Sequence, residues 1–213
     1  VKPLTKFNVL WIGNSHGDDS VKWSHEVAKD LGLEFMVANL YIGGCTIDTH
    51  YENLVNNTKA YEFRTYNNGV WETTNNVSIQ EAIMFKGIHW DFAVIHQQGS
   101  NSGIASTFSK LDPYLTLLRE HLEDYTKIVY MATWAYSQQF CTEGDLMDVH
   151  FGGSQARMYR EQQNVYKNII KNESRIFKIL PTGTAIQNAR SSYMGDNLSR
   201  DLSHLSYGFG RYI

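Results

Sequence analysis

Twelve residues, Phe7-Asn8-Val9-Leu10-Trp11-Ile12-Gly13-Asn14-Ser15-His16-Gly17-Asp18, limit what this chain can fold into more than any other stretch. Phe7 to Ile12 is mostly apolar, too short for a helix, and ends abruptly at glycine, which predicts a buried strand. Gly13-Asn14-Ser15 predicts a tight turn, because glycine accepts any φ and asparagine tolerates the left-handed region. Beyond it Val21, His25, Val27, Ala28 and Leu31 recur three or four apart, predicting a helix from Asp19 to Leu31. Open parallel sheets bind their ligands beyond the carboxyl ends of the strands, and Ser15 stands at such an end. Two roles are open to it there: a nucleophile beside the free N–H groups of the helix, or a helix N-cap.

The rest of the chain repeats the strand–helix alternation. Residues 35–42, 91–96, 127–133 and 175–180 read as further buried strands. Helices are expected at Ile47–Val55, Ser78–Phe85, Leu111–Leu122, Ala156–Lys171 and Thr184–Arg190. Ser78 with Glu81 forms a capping-box pattern, and Pro113 falls in a first turn, where proline is tolerated. Aromatic and β-branched runs around Asn67-Asn68-Gly69 predict a β-hairpin over about 61–74, an excursion at the sheet edge or the site rim. A long polar loop from Trp134 to about Gln155 is expected to be functional or mobile. The expectation is one three-layer α/β/α domain over residues 1–213, with a mostly parallel sheet of about five strands plus the hairpin.

Composition excludes more than it assigns. With 42% hydrophobic and 19% charged residues the chain is globular, and a net charge of −3 without a basic run argues against nucleic-acid binding. No signal peptide or membrane span is recognisable. Val1 is not a start residue, so a secreted or periplasmic protein with its leader removed and a cytoplasmic one both stay open. Cys45 and Cys141 allow one disulfide or two free thiols.

In a parallel sheet the loops after the strands converge on one edge. Those loops carry Ser15, Gly43-Gly44, Gln97-Gln98-Gly99, and Trp134 with Tyr136. Near the C-terminus Asp201 and His204 lie three apart, so one turn brings a carboxylate beside an imidazole. With Ser15 they supply a nucleophile, a base and an orienting group. Backbone N–H groups of Ser15 and Gly44 (or Gly43), with the side-chain amide of Gln98 or Gln97, would make an oxyanion hole.

This set resembles the SGNH (GDSL-like) hydrolase superfamily over nearly the whole chain. Its four blocks occur in order: Gly13-Asn14-Ser15, Gly43-Gly44, Gln97-Gln98-Gly99, and Asp201-Leu202-Ser203-His204. Several stretches are similar to an uncharacterised bacterial branch: Ile12-Gly13-Asn14-Ser15, Leu40-Tyr41-Ile42-Gly43-Gly44-Cys45, Thr133-Trp134-Ala135-Tyr136, Gly183-Thr184-Ala185-Ile186-Gln187-Asn188-Ala189-Arg190, and His204-Leu205-Ser206-Tyr207-Gly208. The resemblance implies a flavodoxin-like fold and a Ser-His-Asp ester hydrolase without metal or cofactor.

Two departures stand out. The block that usually brings an oxyanion-hole asparagine reads Gln97-Gln98-Gly99-Ser100-Asn101, which resembles the glutamine block of carbohydrate-active SGNH esterases and favours Gln98 over Gln97 and Asn101. His16 follows the nucleophile directly and is read as a substrate-binding or turn residue; with Asp18 and Asp19 it lacks distinctive metal-ligand spacing. Trp134 and Tyr136 are expected to stack on a sugar or pack at the rim. Arg190 either anchors the Asp201 loop or faces an acidic substrate. His50, His89, His121 and His150 read as surface or interelement residues. The expected partner is a small-molecule or glycan ester. Three functions follow: a carbohydrate esterase or deacetylase, a lipid or small-ester hydrolase, and a non-catalytic glycan-binding module.

Overall fold

Strand β1 (Lys6–Gly13) lies at the centre of the sheet, because its residues are apolar on both faces. Leu10 and Ile12 point into one core; Val9 and Trp11 point into the other. The computed structural model describes residues 6–67, 70–143 and 149–213. Parallel neighbours β2 (Glu34–Tyr41) and β5 (Phe92–Ile95) flank β1, and β6 (Lys127–Met131) and β7 (Ile176–Leu180) continue the parallel set. The hairpin strands β3 (Tyr61–Asn67) and β4 (Val70–Val77) join antiparallel beyond β2, giving the order β4-β3-β2-β1-β5-β6-β7.

The expected α/β/α layering is therefore present, with five parallel strands. Among the described residues the hairpin extends the same sheet to seven strands and makes β4 its edge. Its tip, Asn68-Gly69, and residues 144–148 of the loop after β6 lie outside the described residues.

On one face pack α3 (Ile47–Val55), α4 (Ile79–Ile83), α5 (Leu111–His121) and α7 (Gln155–Asn168). They bury Leu54, Ile79, Leu115, Leu118 and Tyr166 against Leu10, Leu40, Ile95 and Tyr130. The capping box of Ser78 and Glu81 forms as the sequence indicates. Helices α1 (Ser15–Val21) and α2 (Ser24–Asp30) lie on the other side, where Val21 packs with Val9, Trp11 and Val37.

Two local expectations are corrected. The helix expected over 19–31 is two helices, because Trp23 leaves helical geometry (φ −107°, ψ 4°) and Ser24 Oγ donates to the Val21 carbonyl at 2.6 Å. Val27 and Leu31, part of the spacing that predicted that helix, are exposed. The loop after β6 contains a helix, α6 (Gln138–Glu143), followed in the chain by α7, α8 (Thr182–Arg190) and α9 (Phe209–Tyr212).

The chain leaves β1 toward β2 and the hairpin, then returns across β1 to β5. The direction of strand addition reverses at the carboxyl end of β1, the switch point where open α/β sheets form their crevice. Ser15 follows that end by two residues.

Leu10 is fully buried, whereas Val70 is exposed at the sheet edge. Leu10→Ala is expected to destabilise the fold by about 2–5 kcal/mol, and Val70→Ala by no more than about 0.5 kcal/mol. The urea midpoints of the two variants check this contrast.

Candidate active site

Ser15 is not the helix cap. Asn14 takes that position: it has extended backbone and its side-chain oxygen accepts the His16 N–H at 3.0 Å. Because Asn14 caps α1, the Ser15 hydroxyl is released, and Ser15 Oγ lies 2.7 Å from His204 Nε2. Asn14 is fully buried and joins two further loops. Its Nδ2 donates to the Cys45 carbonyl at 2.8 Å, and its N–H donates to His96 Nε2 at 3.4 Å. Gly13 and Gly17 leave room for that imidazole; a Cβ at Gly13 would fall 2.0 Å from His96 Nε2.

Asp201 and His204 are built as one turn. Asp201 Oδ1 accepts the backbone N–H of Ser203 and of His204, at 3.2 and 2.7 Å, while Oδ2 lies 2.8 Å from His204 Nδ1. A carboxylate only accepts, so Nδ1 carries the proton and Nε2 is left as the acceptor facing the serine hydroxyl. Burial opposes ionisation of Asp201, but the His204 and Ser203 hydrogen bonds outweigh it and hold the carboxyl at about 2. Leu202, between them, adopts a left-handed conformation at φ +69°, which is costly for a branched residue and tightens the turn. The Leu202 carbonyl accepts from Ser137 N–H at 2.8 Å, and Trp134 Nε1 donates to the Ser203 carbonyl at 2.8 Å.

Gly43 and Gly44 are exposed in the loop after β2, which Asn14 holds through the Cys45 carbonyl, with Gly44 at φ +66°, a conformation that favours glycine. Gln98 is half-buried. Its side-chain oxygen accepts from Ser100 Oγ at 2.6 Å and from Asn101 N–H at 3.2 Å. Since a backbone N–H can only donate, that atom is the oxygen, and the Gln98 NH2 keeps no partner among the described residues. Gln97, the alternate donor, is corrected. It is fully buried, its oxygen accepts Ile47 and Gln98 N–H, and its NH2 donates to the Thr107 carbonyl. Gln97 ties three loops together and has no group left for a ligand.

The substrate-facing roles read for His16, Trp134 and Tyr136 are also corrected. All three are buried and pack on one another: the His16 ring lies 4.8 Å from Trp134, 5.7 Å from Tyr136 and 5.3 Å from His204. Burial, reinforced by neighbouring His204, pushes His16 well below the usual imidazole value and keeps it neutral. These rings form a wall behind His204, where aromatic area is buried most effectively.

Asp18 and Asp19 are taken up by arginines. Asp18 Oδ1 accepts from Arg64 Nη1 at 2.6 Å; Asp19 accepts from Arg200 and Arg211. Arg190 is an anchor, donating to Asp196 Oδ1 and to the Ala135 carbonyl, both at 2.7 Å. Cys45 and Cys141 are both buried free thiols. His50, read as a surface or interelement residue, is buried between α3 and β3 with its Nδ1 2.9 Å from the Tyr61 hydroxyl. Sequence reasoning missed Asp19, Arg200 and Arg211 as site residues, because partners 181 and 192 positions apart leave no local pattern.

The buried imidazoles set a pH dependence. Burial pushes His96 down to about 4 and His50 to about 3, from an ordinary value of 6.5. The unfolded chain takes up these protons at higher pH than the folded one. Their stabilising contribution is therefore whole above about pH 6.5 and falls away toward pH 4 and below. Urea unfolding at stepped pH is expected to show that decline; a flat profile across the window would contradict neutral buried histidines.

No curated protein matches the chain. Among solved structures it is similar to a DUF4886 family protein from Bacteroides uniformis, at 33% identity and TM-score 0.89, covering 97% of this chain and 79% of that one. A putative GDSL-like lipase from Parabacteroides merdae superposes at TM-score 0.52 with 11% identity, covering 96% and 90% of the two chains. The acetyl xylan esterase AlAXEase superposes at 0.51 with 12% identity, covering 97% and 95%. The last two likenesses show a common fold. Matched over residues 8–213, the chain belongs to the DUF4886 family, a domain of unknown function built on the GDSL-like α/β/α fold.

Proposed function

We propose that the chain is a serine ester hydrolase of the SGNH type that removes acyl groups from a carbohydrate. The observation that carries this reading is the continuous hydrogen-bond chain from Ser15 Oγ through His204 to Asp201, at 2.7 and 2.8 Å. In that arrangement His204 Nε2 takes the serine proton as Oγ attacks the ester carbonyl carbon. Asp201 holds the tautomer and stabilises the imidazolium. The N–H groups of Ser15 and Gly44 and the free NH2 of Gln98 receive the developing oxyanion. His204 then returns its proton to the departing alkoxide, leaving an acyl-serine. Water, activated by the same imidazole, attacks the acyl carbon and releases the acid.

The carbohydrate ester rests on the openness and polarity of the rim. Gly43, Gly44 and Asp201 are exposed, and Ser15, Gln98, Ser100 and Ser203 are partly exposed around them. A bulky polar substrate can approach such a rim, and the structurally similar AlAXEase is an acetyl xylan esterase. A long acyl chain needs an apolar groove leading from the nucleophile. An apolar groove of about 480 Å³ between Trp11, Trp23, Phe35 and Tyr212 is lined by none of Ser15, Asp201 or His204. A glycan-binding module would have no use for the aligned Ser-His-Asp chain.

Acetylated glycans and short- and long-chain acyl esters offered to the purified protein distinguish these readings. Ser15→Ala and His204→Ala are each expected to abolish hydrolysis with the fold intact, and the double variant to be hardly slower than either, because the triad acts as a unit. Wild-type activity in Ser15→Ala would refute the serine mechanism. Gln98→Ala is expected to lower kcat by roughly 10²–10³-fold with little change in KM, the usual cost of one lost oxyanion donor. An unchanged kcat would remove Gln98 from the oxyanion hole.

A further inference from the structure

The Asp201–His204 pair is self-contained. The hydrogen bonds between Asp201 and His204 run within a four-residue turn, and Ser137 and Trp134, which hold the Leu202 and Ser203 carbonyls, are not on α1, so neither set ties His204 to the helix that carries Ser15. After β7, the segment carrying the turn, through α8 to the C-terminus, adds no further strand to the sheet among the described residues. Something else must dock it on α1.

Asp19 occupies that junction. It lies on α1, four residues after Ser15, and its carboxylate is fully buried. Oδ2 accepts the backbone N–H of Leu205, the residue next to His204, at 2.9 Å. Arg200 Nη1 donates to Oδ1 and Oδ2 at 2.9 and 3.0 Å, and Arg211 Nε donates to Oδ1 at 2.7 Å. Arg200 also holds the turn from its other side: its N–H donates to the His204 carbonyl at 2.9 Å and its Nη1 donates to the Leu205 carbonyl. Helix α1 thus grips both flanks of the turn through one carboxylate. A buried charge is tolerated only when so paired, and removing a partner leaves the remainder strained.

We infer that Asp19 is the positioning residue of the general base: it docks the preformed Asp201–His204 turn onto the nucleophile helix and sets the His204–Ser15 distance. The inference rests on the proposed serine mechanism. Asp19 touches no substrate and acts through the Leu205 N–H and the Arg200 guanidinium. A shift of about 1 Å at a reacting pair costs on the order of 10²-fold in rate.

The test uses a fluorophosphonate, whose phosphorus is attacked by the activated serine oxygen with loss of fluoride, so the natural substrate need not be known. In Asp19→Asn the maximal inactivation rate is expected to fall about 10²-fold with the half-saturating probe concentration unchanged. The downfield imidazole proton shared by His204 and Asp201 should persist in its NMR spectrum, since that bond is local to the turn. Arg200→Gln, which keeps the Arg211 and Leu205 contacts, should inactivate at an intermediate rate and serves as the deciding variant if Asp19→Asn does not fold. Inactivation of the deciding variant at the wild-type rate would overturn the inference while leaving the serine mechanism standing. Loss of the imidazole proton together with the rate would also overturn it, because Asp19 would then be maintaining the turn and not its docking. A wild-type protein that is not labelled at all would refute Ser15 as nucleophile, and the positioning role with it.

Discussion

The site depends first on the pairing of one buried amide, that of Asn14. A fully buried asparagine must satisfy its polar groups inside the protein, and Asn14 does so with its own helix and two further loops. Its oxygen caps α1, its NH2 holds the loop after β2 through Cys45, and its N–H meets His96 at the end of β5. The three strands that meet at the switch point are thereby held in register beyond their ends, where the sheet itself can no longer hold them. Gly13 and Gly17 belong to the same device, since any Cβ there would collide with the His96 ring.

Around that centre the polar groups are distributed by depth. The proposed reacting groups sit near the surface: the Asp201 side chain is about half exposed, where water competes for its hydrogen bonds and their contribution to stability is small. The groups that fix their geometry are buried. Asp19, Gln97, His96 and Asn14 have almost no accessible surface, and each bridges segments distant in sequence. Chemistry needs solvent and substrate access, whereas placement needs partners shielded from competing water, so the two tasks fall to different residues.

The aromatic wall follows the same division. Trp134 donates its indole N–H to the Ser203 carbonyl, so its ring is core and its polar tip supports the Asp201–His204 turn. His16, directly after Ser15, is kept neutral by burial and packs against His204. Both residues serve the site from behind.

The sequence by itself determined the layering, the five parallel strands, the hairpin and the four loops that meet at one edge. Each of these follows from periodicity and turn chemistry within a few residues, which is where such signals reside. It also determined the Asp201–His204 turn, because a three-residue spacing confines both groups to one turn. Tertiary structure alone decided which polar side chains face solvent. Gln97 and Gln98 are adjacent and chemically identical, yet one is sealed among Ile47, Gln98 and Thr107 while the other keeps a free NH2 at the rim. Likewise His16, Trp134 and Tyr136 look like ligand-facing residues on strand-end loops until packing turns them inward. Asp19 and Arg200 are neighbours only because the C-terminal segment returns across α1. Burial and long-range pairing depend on segments far apart in the chain, and no local pattern encodes them.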